Sequence, residues 1–122
     1  MPPIAEASLT EHERRVVDLF LEAVTERLGE RLRSVWLYGS RARGEEPGEY
    51  SDVDLLIVAE GGREADRLVN DVMVETAMDE GANPFLFSTI VLTPERLANR
   101  REIRSFFIQE VDRDKIVLHG EP

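Results

Sequence analysis

Apolar positions recur along this chain with two different periods. Val17, Phe20, Leu21, Val24 and Leu28 fall at i, i+3, i+4, i+7 and i+11, one stripe of a helix. Ser8 with Glu11 and Thr10 with Glu13 both have capping-box spacing, so the helix starts about there. Gly29 is its natural stop, and residues 1–8 read as a loose lead-in. Arg33 to Tyr38 follows as a short strand with apolar residues on both faces, the mark of an inner strand covered on both sides. After Gly39 comes a polar loop, Arg43-Gly44-Glu45-Glu46-Pro47-Gly48-Glu49, dense in turn residues. Asp52 to Val58 is a second strand, ending in Leu55-Leu56-Ile57-Val58.

Gly61-Gly62 separates that strand from a second helix, on which Ala65, Leu68, Val69, Val72 and Met73 form the stripe and Gly81 marks the end. Phe85 to Leu92 is a third strand. Thr93-Pro94-Glu95 reads as N-cap, first position and first-turn acid of another helix. Ile103, Phe106, Phe107 and Val111 continue its pattern. Asp112-Arg113-Asp114 turns the chain into a last strand, Lys115 to His119. The order α-β-β-α-β-α-β predicts a single domain over 1–122, of α/β (α+β) class, with a small mixed sheet of about four strands flanked by helices. Trp36 and the aromatics Phe85, Phe87, Phe106 and Phe107 are expected in the core.

Composition narrows the function classes. The 122 residues carry 15 Lys and Arg against 25 Asp and Glu, a formal net charge of -10. General nucleic-acid binding is not expected of such a chain, because a nucleic-acid binder would carry a basic footprint. Cysteine is absent, which excludes disulfides and thiolate metal sites. The two histidines, His12 and His119, are far apart, so a histidine zinc site or a Ser-His-Asp triad is not expected. No run approaches the ~18 apolar residues of a membrane span, and no signal-like leader is present; a soluble, cytoplasmic protein is expected.

The chemistry concentrates between Tyr38 and Val58. Residues i and i+2 of a strand share a face, so Asp52 and Asp54 are expected side by side. Two close carboxylates repel, and a cation between them relieves the repulsion. Mg²⁺ suits hard oxygen ligands and leaves room for substrate phosphates. Gly39 lets backbone approach a ligand closely. Ser40 and the amides after it can present N–H groups to a phosphate, and Arg41 and Arg43 are expected to add cationic donors. Eleven residues separate Ser40 from Asp52. If the chain returns as a hairpin-like pair, the glycine–serine turn and both aspartates converge on one triphosphate, as phosphoryl or nucleotidyl transfer requires. Tyr50 is read either as a base-stacking ring or as a solvent-facing loop residue, and Glu45, Glu46 and Glu49 as a solvated loop or a face for a basic partner.

Gly39-Ser40-Arg41-Ala42-Arg43-Gly44 and Ser51-Asp52-Val53-Asp54-Leu55, with the element order and the ending Ile116-Val117-Leu118-His119-Gly120, resemble a minimal nucleotidyltransferase (MNT) of the DNA polymerase beta-like nucleotidyltransferase superfamily. The resemblance covers nearly the whole chain. It implies a nucleoside triphosphate donor such as ATP, two Mg²⁺ ions, and transfer of a nucleoside monophosphate. Ser40 would then lie at the phosphates, with Asp52 and Asp54 holding metal. It also implies a small helical HEPN partner, adenylylated by the MNT in a toxin–antitoxin pair; homo- or hetero-oligomers both stay open. The chain departs from that pattern once. The later strand has Ser88 or Thr89 where active relatives carry a third carboxylate, and Glu95 falls at a helix start, where a dipole role suffices. A binding module that neutralises a partner by contact therefore remains the alternative. Haloacid-dehalogenase-type phosphatases and Asp-x-Asp glycosyltransferases are excluded because their apolar strand precedes the acids. A P-loop is excluded because no Gly-Lys-Ser/Thr follows a glycine loop.

Overall fold

A computed structural model describes residues 7–46 and 51–122. Helix α1 spans Glu11–Leu28. Of the two capping boxes, the Thr10 one forms: the Glu13 amide donates to Thr10 Oγ1 at 3.0 Å and the Thr10 amide to Glu13 Oε1 at 2.9 Å. Ser8 does other work. Its amide donates to the Arg41 carbonyl at 2.9 Å and its hydroxyl to the Glu45 carbonyl. Ala7 is buried. The loose lead-in expected over 1–8 is thus corrected at its last two residues, which pack on the turn after the first strand; residues 1–6 lie outside the described part.

The strands are β1 (Leu32–Tyr38), β2 (Val53–Ala59), β3 (Phe87–Leu92) and β4 (Ile116–Gly120). Helix α2 (Gly62–Asp79) joins β2 to β3, and two helices, α3 (Pro94–Glu102) and α4 (Phe106–Asp114), join β3 to β4. The sheet order is β3-β2-β1-β4. β1 runs antiparallel to both neighbours, and β2 and β3 are parallel, as a helical crossover between them requires.

Strand parity divides the core. Val35, Leu37, Val53, Leu55 and Ile57 pack with Val17, Phe20, Val24, Val69 and Met73 of α1 and α2. Trp36, Leu56 and Val58 pack on the other face with Leu97 of α3 and Ile108 and Val111 of α4. β1 is therefore covered on both sides, as its pattern predicts. Trp36 is buried, donates from Nε1 to the Glu121 carbonyl at 2.8 Å, and carries the Lys115 ammonium 3.8 Å from its ring centre.

Several boundaries differ from expectation. β2 was expected from Asp52 to Val58 but begins at Val53, which leaves Asp52 outside the strand. Phe85 is not in β3: the Asn83 side chain accepts the Phe85 amide at 3.0 Å and caps a short turn over Pro84–Leu86, which leaves the Phe85 ring 88% exposed. The long C-terminal helix breaks in two at Arg104, which adopts φ 53°, and Ser105 then caps α4 by accepting the Ile108 amide at 3.2 Å. Phe106 consequently faces solvent, 78% exposed, whereas Phe87 is buried as expected. Helix α4 continues through Asp114, where a turn was expected. Among the described residues, no helix is long and apolar enough to cross a membrane.

Candidate active site

β1 ends at Tyr38, paired in register with Asp54 of β2. Gly39 follows with φ 78°, a conformation side chains disfavour. A Cβ there would stand 2.7 Å from Asp54 Oδ2, so a larger residue would push that carboxylate aside. The chain then winds into a tight turn in which the amides of Ala42 and Arg43 donate to the Gly39 carbonyl at 3.1 and 3.2 Å. Ser40 Oγ lies 3.2 Å from Ser51 Oγ, closing the turn against the approach to β2. Glycine turn, serine and Asp54 thereby meet at one end of the sheet.

Tyr38, Ser40, Arg43 and Asp54 border a cleft of about 370 Å³ that α4 walls with Phe107, Glu110 and Val111. The Phe107 ring meets Tyr38 edge-on, 5.5 Å between centres. Asp54 is half-buried here. Burial, and then the charge of Asp52, push its pKa up to about 6 against a pull from Arg41. Burial and the Asp54 charge likewise push Tyr38 up to about 12.

Asp52 stands one residue ahead of β2 and is exposed. It borders a neighbouring cavity of about 440 Å³ with Asn70, Phe85, Ser88 and Thr89. The two aspartates are close enough to interact electrostatically, yet each opens on its own cavity. Two nearby carboxylates, one already held toward its neutral form, make a donor pair that a divalent cation fits. Among the described residues, no group of three or more His, Cys, Asp and Glu side chains could hold a metal. Carboxylate oxygens of this kind are the hard donors that Mg²⁺ takes.

The strand register separates Ser88 from Thr89. Ser88 pairs with Asp54 and shares its face, whereas Thr89 pairs with Leu55 and belongs to the α2 side. Glu95 lies in the first turn of α3, as a dipole role predicts. Sequence reasoning missed Glu110. Its signal was the stripe Phe107, Glu110, Val111 at i, i+3, i+4, which turns one carboxylate of α4 into the cleft.

Arg41 requires a correction. It was expected at the phosphates, but its side chain is buried and its five donors are occupied. Nε donates to Ser51 Oγ at 3.0 Å. Nη1 donates to the Ser8 carbonyl at 2.9 Å and Glu13 Oε1 at 2.7 Å. Nη2 donates to Glu13 Oε2 and the Ser51 carbonyl, both at 3.1 Å. Arg41 builds the turn and cannot also grip a phosphate. Arg43 is different: partly exposed on the cleft rim, it donates to Glu45 Oε1 at 2.9 Å and lies 3.6 Å from Asp114. His12 contacts the Glu80 carbonyl and His119 sits in β4; neither borders the cleft. Glu49 and Tyr50 lie outside the described residues.

The nucleotidyltransferase domain family matches residues 17–119. A "Putative protein adenylyltransferase" of Methanocaldococcus jannaschii is 37% identical over 87 residues, covering 68% of this chain. The chain spans 56% of that relative's length. Among solved structures, an MntA–HpeT toxin–antitoxin mutant aligns over 83% of this chain and 71% of its own, with 14% identity and TM-score 0.49. A "putative nucleotidyltransferase" from Sulfolobus solfataricus aligns over 93% and 91%, with 18% identity and TM-score 0.44.

Proposed function

The chain belongs to the nucleotidyltransferase domain family, and from that premise we propose that it moves AMP from ATP to a hydroxyl of a protein partner. The observation that carries this reading is the approach of the Gly39 turn to Asp54, which leaves no room for a Cβ. Triphosphate and metal sites need a turn and a carboxylate brought together in this way.

In this reading Ser40 and the amides of its turn hold phosphate oxygens, and Arg43 adds positive charge from the rim. Asp52 and Asp54 hold Mg²⁺, two ions by analogy with the family. Bound there, Mg²⁺ neutralises phosphate charge as it develops. The acceptor oxygen forms a bond to the α-phosphorus while the bond from that phosphorus to the bridging β-oxygen breaks. Pyrophosphate leaves and the hydroxyl proton passes to water or a cleft carboxylate. Tyr38, Phe107 and Val111 give the cleft an apolar wall, which strengthens these charge interactions. Positioning and electrostatics supply most of such a reaction. With Ser88 where a third carboxylate would stand, the acceptor receives little general-base help, typically worth about 10²–10⁴-fold. The reaction is accordingly slow.

The acceptor that fits the resemblance is a small helical HEPN-type protein encoded as the other half of a toxin–antitoxin pair. The name borne by the archaeal relative supports a protein acceptor. Ser88 also favours a second reading, a module that retains nucleotide binding and neutralises its partner by contact. Radiolabelled ATP, Mg²⁺ and the neighbouring-gene product separate the two. Label on the partner, with a mass increase of one AMP, supports transfer. Tight partner binding without label supports the module.

A further inference from the structure

The ion-pair pattern of this acidic chain is uneven. Arg15, Arg31, Arg33, Arg41, Arg43, Arg101 and Arg113 all pair with acids. Arg27, Arg63, Arg67, Arg96, Arg100 and Arg104 form no ion pair or side-chain hydrogen bond with the described residues. Of these, Arg63, Arg67 and Arg96 border one trough. A cavity of about 470 Å³ at Val91, Thr93 and Arg96 shares Arg63 and Asp66 with a second of about 430 Å³. That one shares Asn70 and Thr89 with the cavity holding Asp52. The trough thus runs along β3 and α2 and ends at an aspartate of the candidate site.

Its floor is also unusual. Among the described residues, β3 pairs only with β2, so its outer edge is open. Phe87–Leu92 carries no charge, no proline and no register shift. Edge strands are ordinarily blunted by one of these devices. An edge without them offers its backbone to an incoming strand.

Resting on the protein-acceptor reading above, we propose that this trough binds the acceptor as an extended, acidic segment added at the β3 edge. The segment's acids face Arg63, Arg67 and Arg96, and its hydroxyl lies at the Asp52 end. Val91 and Ser88 are three residues apart, about 10 Å of strand. The acids therefore stand three to five residues from the hydroxyl. A peptide fits better than a nucleic acid because an open edge strand pairs with peptide backbone and finds no such complement in phosphodiester.

The test is fluorescence anisotropy with three labelled probes: an eight-residue serine peptide with glutamates three to five residues away, its lysine counterpart, and a single-stranded RNA octamer. The wild type and the triple variant R63E/R67E/R96E are compared, with R63Q/R67Q/R96Q as a milder variant and circular dichroism as the folding check. The glutamate peptide is expected to bind wild type at least ~10-fold more tightly than the lysine peptide, by charge complementarity, and the triple variant to lose or invert that preference. Mg²⁺-ATP binding, read separately by calorimetry, should not change. Equal binding of both peptides, or a preference that survives in the folded variants, overturns the proposal. Tighter RNA binding through the same arginines replaces it with a nucleic-acid groove. Self-association abolished by the variants, without peptide binding, replaces it with a homodimer edge. Failure of ATP binding or of AMP labelling bears on the transferase reading instead, because the anisotropy assay requires neither.

Discussion

Arg41 donates to both oxygens of the Glu13 carboxylate, Nη1 to Oε1 at 2.7 Å and Nη2 to Oε2 at 3.1 Å. Glu13 is also half of the capping box that starts α1. One carboxylate therefore ties the start of the first helix to the turn that carries Ser40, 28 residues later. The shape of the Ser40 turn depends on a residue that does not border the cleft.

Arg41→Ala should destabilise the fold by about 3 kcal/mol, because it strands a buried carboxylate. Arg41→Lys should recover little, since an ammonium cannot span five acceptors in a plane. The pH dependence follows from Glu13. Burial acts to raise its pKa, but the hydrogen bonds from Arg41 and Thr10 prevail and hold it below its usual 4.5. A depressed carboxylate stabilises the fold above its unfolded pKa, and that contribution is lost as pH falls through the folded value. Urea unfolding at neutral pH and in the acid range should show the wild-type advantage over the alanine variant shrinking in acid.

Asp54 runs the other way. Its folded pKa of about 6 exceeds the usual 3.8. The folded state holds the proton more tightly, so ionisation costs stability. That cost is absent below pH 3.8, grows between the two values and is complete above pH 6. Asp54→Asn should stabilise the metal-free protein at pH 8 by about 1–2 kcal/mol after allowance for partial exposure, and by little near pH 4. Thermal melts across that range check the sign. Cation binding competes with the same proton, so Mg²⁺ affinity should weaken as pH falls through about 6.

Ser88→Asp should raise the rate of AMP transfer, because Ser88 pairs with Asp54 and shares its face. Thr89→Asp should not, since Thr89 is one residue out of phase. A gain of about 10-fold or more for the first substitution alone, in a single-turnover labelling assay, is the expected result. Equal effects of the two would show that the register has been misjudged.

Much of this was legible beforehand. Helix stripes, the Thr10 box, the N-cap at Thr93 and the inner character of β1 each have one dominant local cause. The approach of Gly39 and Ser40 to Asp54 was also legible, because strand–turn–strand order brings them together, whereas Asp52, one residue ahead of β2, opens on a neighbouring cavity. The role of Arg41 was not. A guanidinium suits phosphate and carboxylate equally, and only the long-range return of α1 selects Glu13. Phe85 and Phe106 were misplaced for a similar reason. Hydrophobicity predicts burial, whereas Asn83 capping a turn and Ser105 starting a new helix rotate both rings into solvent. Glu110 stayed hidden because its meaning depends on which face of α4 meets the cleft.

The central claim is that Asp52 and Asp54 hold the metal that binds ATP for transfer. The most direct measurement is calorimetric titration of Mg²⁺-ATP into wild type and Asp52→Asn/Asp54→Asn, with circular dichroism confirming the fold of both. Mg²⁺-dependent binding to wild type, and its loss in a double variant at least as stable as wild type, is the result expected. Undiminished Mg²⁺-ATP binding by the folded double variant would contradict the account.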